Sequence, residues 1–139
     1  MKKLAGIIIL FSLLGCGVQE KTLVGRDKDT HGCIASAGYT WSEVRGACIR
    51  VWEEGKKLLP VQQKEGAVLA AYVITEKRAA EVFLPDNKKP IQMVLVYAEE
   101  ASRWEAKDGS GWELVEDAFG EWSLYKKDTL LYTTKAGKI

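Results

Sequence analysis

Histidine is the scarcest chemically versatile residue in this 139-residue sequence, with His31 as its single copy. One histidine is too few for a metal centre built on several histidines. It also leaves little basis for a catalytic relay in which histidine activates a serine or cysteine. The sequence also lacks a G-x-S-x-G motif and a glycine-rich phosphate-binding loop. We therefore predict a binding or structural protein, not an enzyme, with no metal and no cofactor.

An excess of charge of one sign is missing as well, because 20 basic residues face 19 acidic ones. Nucleic-acid-binding domains carry a concentrated basic surface, so no nucleic-acid partner is expected. The presence of only three prolines excludes collagen-like and low-complexity chains. An apolar fraction of 47% is ordinary for a globular protein, and the length suits a single domain.

No apolar run reaches the roughly 20 residues that a membrane-spanning helix needs. The longest run, residues 4–14, follows two lysines and has the size of a signal-peptide core. It is followed directly by Gly15 and Cys16, and this arrangement resembles the lipoprotein box of bacteria. The resemblance implies that residues 1–15 are a signal peptide that is removed, and that Cys16 is lipidated with acyl chains such as palmitate.

Lipidation at Cys16 would make the membrane a partner of this chain. Several acyl chains hold a protein at a membrane, whereas one chain binds only marginally. In Gram-negative envelopes, an aspartate after the lipidated cysteine usually retains a lipoprotein at the inner membrane, but Gly17 follows here. We expect a lipid-anchored protein of the bacterial cell envelope, at the outer membrane or in the periplasm, with residues 16–32 as a polar tether.

Cysteine is also scarce, and only two cysteines remain once Cys16 is assigned to lipid. Cys33 and Cys48 are an even pair in an oxidising compartment, so the simplest prediction is a disulfide. A metal or redox pair is the alternative, but zinc needs four ligands and typically draws on closely spaced cysteines. We predict a disulfide-pinned loop segment over residues 33–52, which we call the disulfide segment.

Two aromatic residues, Tyr39 and Trp41, lie between these cysteines, and their spacing places both rings on one face if the backbone is extended. One interpretation is an aromatic plug that covers one end of a sheet. The other is an exposed surface that binds a protein or a glycan, and the sequence leaves both open. Gly38 permits a left-handed backbone conformation, and Ser42 can cap a short helical turn. The disulfide segment also resembles a segment of uncharacterised bacterial lipoproteins.

The remaining sequence alternates short β-forming runs with polar turns. Strands are expected at residues 68–75, 80–84, 91–97, 102–106, 112–115, 121–126 and 129–134, with a charged turn at 53–57 and an edge strand at 58–61. Short strands joined by short turns predict an all-β fold, an antiparallel meander that closes as a small barrel or sandwich over residues 53–139. Trp104, Trp112 and Trp122 are expected in its core. We expect residues 33–139 to form one folding unit.

The C-terminal half, residues 79–134, resembles the membrane-bound inhibitors of c-type lysozyme. The shared features are a lipobox before a compact all-β domain, a serine and an aromatic residue within 99–104, and a final hairpin at 121–132. The resemblance implies an eight-stranded antiparallel barrel that inserts a loop into the lysozyme cleft. A serine, here Ser102, and a lysine, here Lys126 or Lys127, would engage the two catalytic carboxylates of that enzyme.

Overall fold

The computed structural model describes residues 27–62, 66, 69–86 and 91–135. The expected signal peptide, the lipidation site Cys16 and most of the expected tether lie outside the described residues. Among the residues that are described, no helix combines the length and the apolar character needed to cross a membrane.

Short strands dominate the described part of the chain. In order, the elements are a 3-10 turn at Ala35–Ala37, β1 at Thr40–Ser42, β2 at Ala47–Ile49, helix α1 at Val51–Glu54, β3 at Lys56–Pro60, β4 at Ala71–Glu76, β5 at Ala79–Leu84, β6 at Ile91–Ala98, β7 at Arg103–Glu105, β8 at Trp112–Glu116, β9 at Trp122–Lys126 and β10 at Thr129–Thr133. The predicted all-β class is confirmed.

Strands β3 to β10 form a closed antiparallel barrel of eight strands. Each strand pairs with the next along the chain, and β10 returns to pair with β3. Because the barrel closes, β3 has neighbours on both sides, so the prediction of an edge strand at 58–61 was wrong. The charged turn expected at 53–57 is also corrected, since these residues end α1 and begin β3.

Alternate residues of the barrel strands point inward and form the main core. Its buried members include Leu58, Val73, Val82, Leu95, Leu114 and Leu124. Trp122 is buried among them, and Trp104 and Trp112 pack against the cluster, as predicted. The rings of Trp104 and Trp122 stack with centroids 5.1 Å apart, so aromatic side chains fill much of the interior.

A second apolar layer lies outside the barrel, between its wall and the disulfide segment. Ile74 of β4 and Phe83 of β5 are buried there against Ile49 and Val51. The disulfide segment therefore covers the outer wall of the barrel and does not plug one end of a sheet. The predicted disulfide is present, and it joins Cys33 to Cys48 with Cα atoms 5.5 Å apart.

One buried carboxylate ties the disulfide segment to the wall. Glu81 of β5 accepts hydrogen bonds from the Ser42 hydroxyl, from the Glu43 backbone N–H and from the Gln92 side-chain amide. Both Glu81 and Ser42 are completely inaccessible to solvent. The Ser42 hydroxyl also accepts the Arg45 backbone N–H at 3.2 Å, so it caps a hydrogen-bonded turn, and not a helix, at 43–46.

The last residues of the expected tether are folded against the disulfide segment. The Asp29 carboxylate accepts the backbone N–H of Cys33 at 2.8 Å and that of His31 at 2.9 Å. Lys28 forms an isolated β-bridge with Ile34. Residues 27–32 therefore contribute to the surface that the disulfide segment presents.

Candidate functional site

The antiparallel connectivity places successive loops at alternate ends of the barrel. The β6–β7 turn at 99–102 and the β8–β9 loop at 117–121 lie at one end, which we call the serine end. The β7–β8 loop at 106–111 and the β9–β10 turn at 127–128 lie at the opposite end, which we call the lysine end. The structure therefore does not bring Ser102 together with Lys126 or Lys127, as a shared contact with one lysozyme cleft would require.

The β9–β10 hairpin of the lysine end carries two exposed cations and an exposed aspartate, Asp128. Lys127 and Asp128 have φ values of 48° and 63°, the left-handed pair that a two-residue hairpin turn requires. The Lys127 backbone N–H donates to the Gly111 carbonyl at 2.8 Å, which fastens this turn to the β7–β8 loop. Lys126 places its Nζ 5.0 Å from the centroid of the Trp112 ring. Both lysine side chains are solvent-exposed.

The serine end carries charges of both signs. Ser102 is exposed, with φ of 51°, and its backbone N–H donates to the Glu99 carbonyl at 3.2 Å. Glu100 beside it is exposed, and the Glu99 carboxylate forms an ion pair with Arg78 of the β4–β5 turn. Ser102 therefore follows an exposed carboxylate, Glu100, and lies in the turn that carries the ion pair between Glu99 and Arg78.

The β8–β9 loop presents an aromatic residue that the sequence analysis missed. Phe119 is 88% exposed at the tip of a loop ordered by Asp117, whose carboxylate accepts the backbone N–H of Glu121 at 3.0 Å and that of Phe119 at 2.9 Å. These bonds, that from Glu121 foremost, hold the pKa of Asp117 below its usual value, and Lys135 adds to the effect. No periodic signal marks Phe119, because a loop residue belongs to no strand pattern.

A cleft of about 740 Å³ separates the disulfide segment from the outer wall of the barrel. Its aromatic lining consists of His31, Trp41, Trp52, Tyr72 and Phe83. We call it the aromatic cleft. Five rings from four separate parts of the chain meet there, a grouping that only the docking of the disulfide segment on the barrel creates.

Trp41 and Trp52 are held in place by different neighbours. Trp41 is partly buried and stacks on His31, with ring centroids 4.1 Å apart and planes inclined by 3°. Trp52 is 55% exposed and lies directly over Gly38. A Cβ atom on Gly38 would be 2.1 Å from Cη2 of Trp52, so the absence of a side chain on that glycine makes the contact feasible.

Tyr39 does not line the aromatic cleft. It is 37% exposed, and the guanidinium of Arg50 lies 4.8 Å from its ring centroid. Of the two aromatic residues expected to form one surface, the structure thus places only Trp41 in the cleft. Trp52, which joins it there, was missed because it follows the second cysteine and stands alone in its stretch of sequence.

Two acidic residues, Glu105 and Glu113, are direct cross-strand partners on β7 and β8. Arg103 bridges them, at 2.8 Å from Glu105 and 3.5 Å from Glu113. The hydrogen bond to Glu105 is the main cause that raises the pKa of Arg103. Arg103, Glu105 and Glu113 therefore form a cluster of ion pairs on the barrel surface. Within residues 27–62, 66, 69–86 and 91–135, no group of three His, Cys, Asp or Glu side chains could hold a metal ion.

No protein-family model, curated protein or solved structure matches this chain. Three surfaces of the described chain have distinct chemistry: the lysine end, the serine end and the aromatic cleft. The lysine end offers two exposed cations beside an aspartate, the serine end offers charges of both signs and one aromatic side chain, and the cleft offers a concave aromatic surface.

Proposed function

We propose that this chain is a lipid-anchored, non-catalytic protein of the bacterial cell envelope that inhibits c-type lysozyme. In this proposal the lysine end of the barrel enters the enzyme cleft. The observation that carries it is the closed barrel of eight antiparallel strands, which is the fold implied by the resemblance of residues 79–134 to lysozyme inhibitors.

The lysine end has the chemistry that two catalytic carboxylates attract. A lysine ammonium on a long stem can follow a carboxylate into a narrow cleft, and Lys126 and Lys127 both project from the tip of a hairpin. The bond from Lys127 to Gly111 holds that tip in one conformation before binding, so little ordering entropy is lost on association.

The serine end takes no part in this contact. Strand β9 has five residues, and at roughly 3.3 Å per residue it spans about 17 Å. A cleft filled by the β9–β10 turn therefore lies on the far side of the barrel from Ser102. Lys126 and Lys127 therefore contact the lysozyme carboxylates in this proposal, as expected from the sequence, and Ser102 has no role in the contact.

A titration into lysozyme turnover assays tests the proposal. The mature chain without its lipid should inhibit a c-type enzyme at sub-micromolar concentration and leave a g-type enzyme unaffected. Removing one partner of a desolvated charge pair costs about 2–5 kcal/mol, so Lys127→Ala should raise the inhibition constant by at least about 30-fold. Ser102→Ala, an exposed change at the opposite end, is the matched control and should leave the constant unchanged.

Two results would count against this assignment. Absence of inhibition at tens of micromolar protein would refute the function itself. Inhibition that survives Lys126→Ala and Lys127→Ala but is lost in Ser102→Ala would move the contact to the serine end and refute the proposed geometry.

A further inference from the structure

We propose that the aromatic cleft is a saccharide-binding site, distinct from the lysine end and taking neutral or amino sugars. The cleft volume of about 740 Å³ lies within the range of about 300–1,000 Å³ that is typical of small-molecule sites. It is a concave surface with aromatic walls and a few polar groups, which is the usual composition of such sites.

The aromatic walls suit the apolar face of a pyranose ring. A sugar presents C–H groups on the faces of its ring and hydroxyl groups around the edge, so it binds where a flat apolar surface adjoins polar groups. Trp52 supplies such a surface, since it is 55% exposed and fixed by its contact with Gly38. Trp41 is fixed by its stack on His31, so both indoles are positioned before a ligand arrives.

The polar lining is of a kind that binds hydroxyl groups. Thr30 and Thr40 contribute hydroxyl groups to the lining, and Gln92 contributes an amide. Gln92 is itself held in place, because its Nε2 donates to the carbonyl of Trp41 at 2.8 Å. A hydroxyl both donates and accepts hydrogen bonds, and this match with sugar hydroxyls is what an apolar peptide segment would lack.

The charge of the cleft narrows the class of sugar. Its ionised lining residues are Asp29 and Glu43, and no lysine or arginine is found among the described residues that line it. Two carboxylates in one cleft repel phosphate, sulfate and uronate groups and attract an ammonium group. An amino group would also be favoured near the indole faces through a cation–π contact. Anionic sugars should therefore bind more weakly than neutral ones, and glucosamine-type sugars should bind most tightly.

Titration of the lipid-free mature chain with three oligosaccharides tests the inference. The probes are a glucosamine oligomer, an N-acetylglucosamine oligomer and an oligogalacturonate, with tryptophan fluorescence and amide NMR shifts as readouts. We expect saturable binding of the first two, tighter for the cationic oligomer at low salt, and weaker binding of the anionic one. If neither the glucosamine oligomer nor the N-acetylglucosamine oligomer binds at about 10 mM, the inference is overturned. A dissociation constant above that concentration corresponds to a binding free energy weaker than about −3 kcal/mol.

Variants separate the cleft from other aromatic surfaces. Trp52→Ala should weaken sugar binding about tenfold or more, while Trp52→Phe should restore part of the loss because it keeps a ring. Phe119→Ala removes an even more exposed aromatic side chain at the serine end and should change nothing. Equal binding by Trp52→Ala and the unmodified chain, with unchanged urea midpoints, would place the ligand elsewhere and refute the site.

The charge argument and the lysozyme proposal have separate controls. Glu43→Gln removes one of the two carboxylates, so it should reduce the preference for the cationic oligomer and spare the N-acetylated one, whereas an undiminished preference would contradict the role of Glu43. Lys127→Ala should bind sugars normally. A chain that binds sugars without inhibiting lysozyme would refute the proposed function alone, and the reverse would refute the cleft alone.

Discussion

Glu81 is the residue whose replacement should most weaken the attachment of the disulfide segment to the barrel. Its carboxylate has no solvent exposure and accepts hydrogen bonds from Ser42, Glu43 and Gln92. Those donors belong to β1, to the turn after it and to β6. One side chain on β5 therefore joins three parts of the chain. Losing it leaves the Ser42 hydroxyl and the Glu43 backbone N–H without this acceptor, whereas Gln92 keeps its hydrogen bond to the Trp41 carbonyl.

The magnitude follows from the donors that each substitution leaves without an acceptor. Glu81→Gln keeps the shape but turns an amide NH₂ toward a donor, and a buried polar group without a partner costs about 1–3 kcal/mol. Glu81→Ala removes this acceptor from all three hydrogen bonds. Hydrogen bonds to a charged group contribute about 1.5–3 kcal/mol each but are not additive in one network, so we expect about 3–5 kcal/mol. A domain of this size is stable by only about 5–15 kcal/mol, so the loss would be severe.

Urea unfolding followed by tryptophan fluorescence, with the disulfide intact, measures this effect. Glu100→Ala is the matched control, because it removes the same charge from an exposed turn and should change the free energy of unfolding by less than about 0.5 kcal/mol. Hydrogen exchange should also accelerate at the backbone amide of Glu43, which donates directly to Glu81. A Glu81→Ala variant as stable as Glu100→Ala would refute the argument that this carboxylate holds the interface together.

Three further changes test other parts of the structure. Reduction of the disulfide, whose cysteines are 15 residues apart, should lower the free energy of unfolding by about 3 kcal/mol in urea titrations; no change would contradict the constraint. Gly38→Ala should destabilise by more than about 1 kcal/mol and shift the fluorescence of Trp52, since alanine is strained at a φ of 82° and its Cβ meets the indole; an unchanged urea midpoint would contradict this. Because the pKa of Asp117 is lowered in the fold, the stability it adds is complete above the unfolded value of about 3.9 and is lost as pH falls through the folded pKa. Tm measured from pH 6 down to 2 should therefore show a gap between the native chain and Asp117→Asn that closes on acidification, and a gap independent of pH would contradict the linkage.

Most strands of the barrel could be predicted from the sequence, because short β-forming runs alternate with polar turns. The cysteine count predicted the disulfide, and the β-forming runs between polar turns predicted most of the barrel strands. A local sequence pattern shows that a strand face is buried, but it does not show which segment of the chain packs against that face. Strand β5 is apolar on both faces apart from Glu81, which indicates burial on both sides, but nothing nearby in the sequence indicates that residues 33–52 cover the outer face. The aromatic cleft arises from that docking, so the sequence pointed only to Trp41 among its rings, and the other rings were found in the structure.

The separation of the two ends, in contrast, was implicit in the strand pattern. Three expected strands, at 102–106, 112–115 and 121–126, lie between Ser102 and Lys127. In an antiparallel meander each strand reverses the direction of the chain, so two turns separated by an odd number of strands lie at opposite ends whether the sheet closes or stays open. In the structure, β6 to β10 pair in chain order, so the two turns do lie at opposite ends of the barrel. Residue types suited to one cleft are therefore insufficient to define a site, because the parity of the strands between them decides whether they can meet.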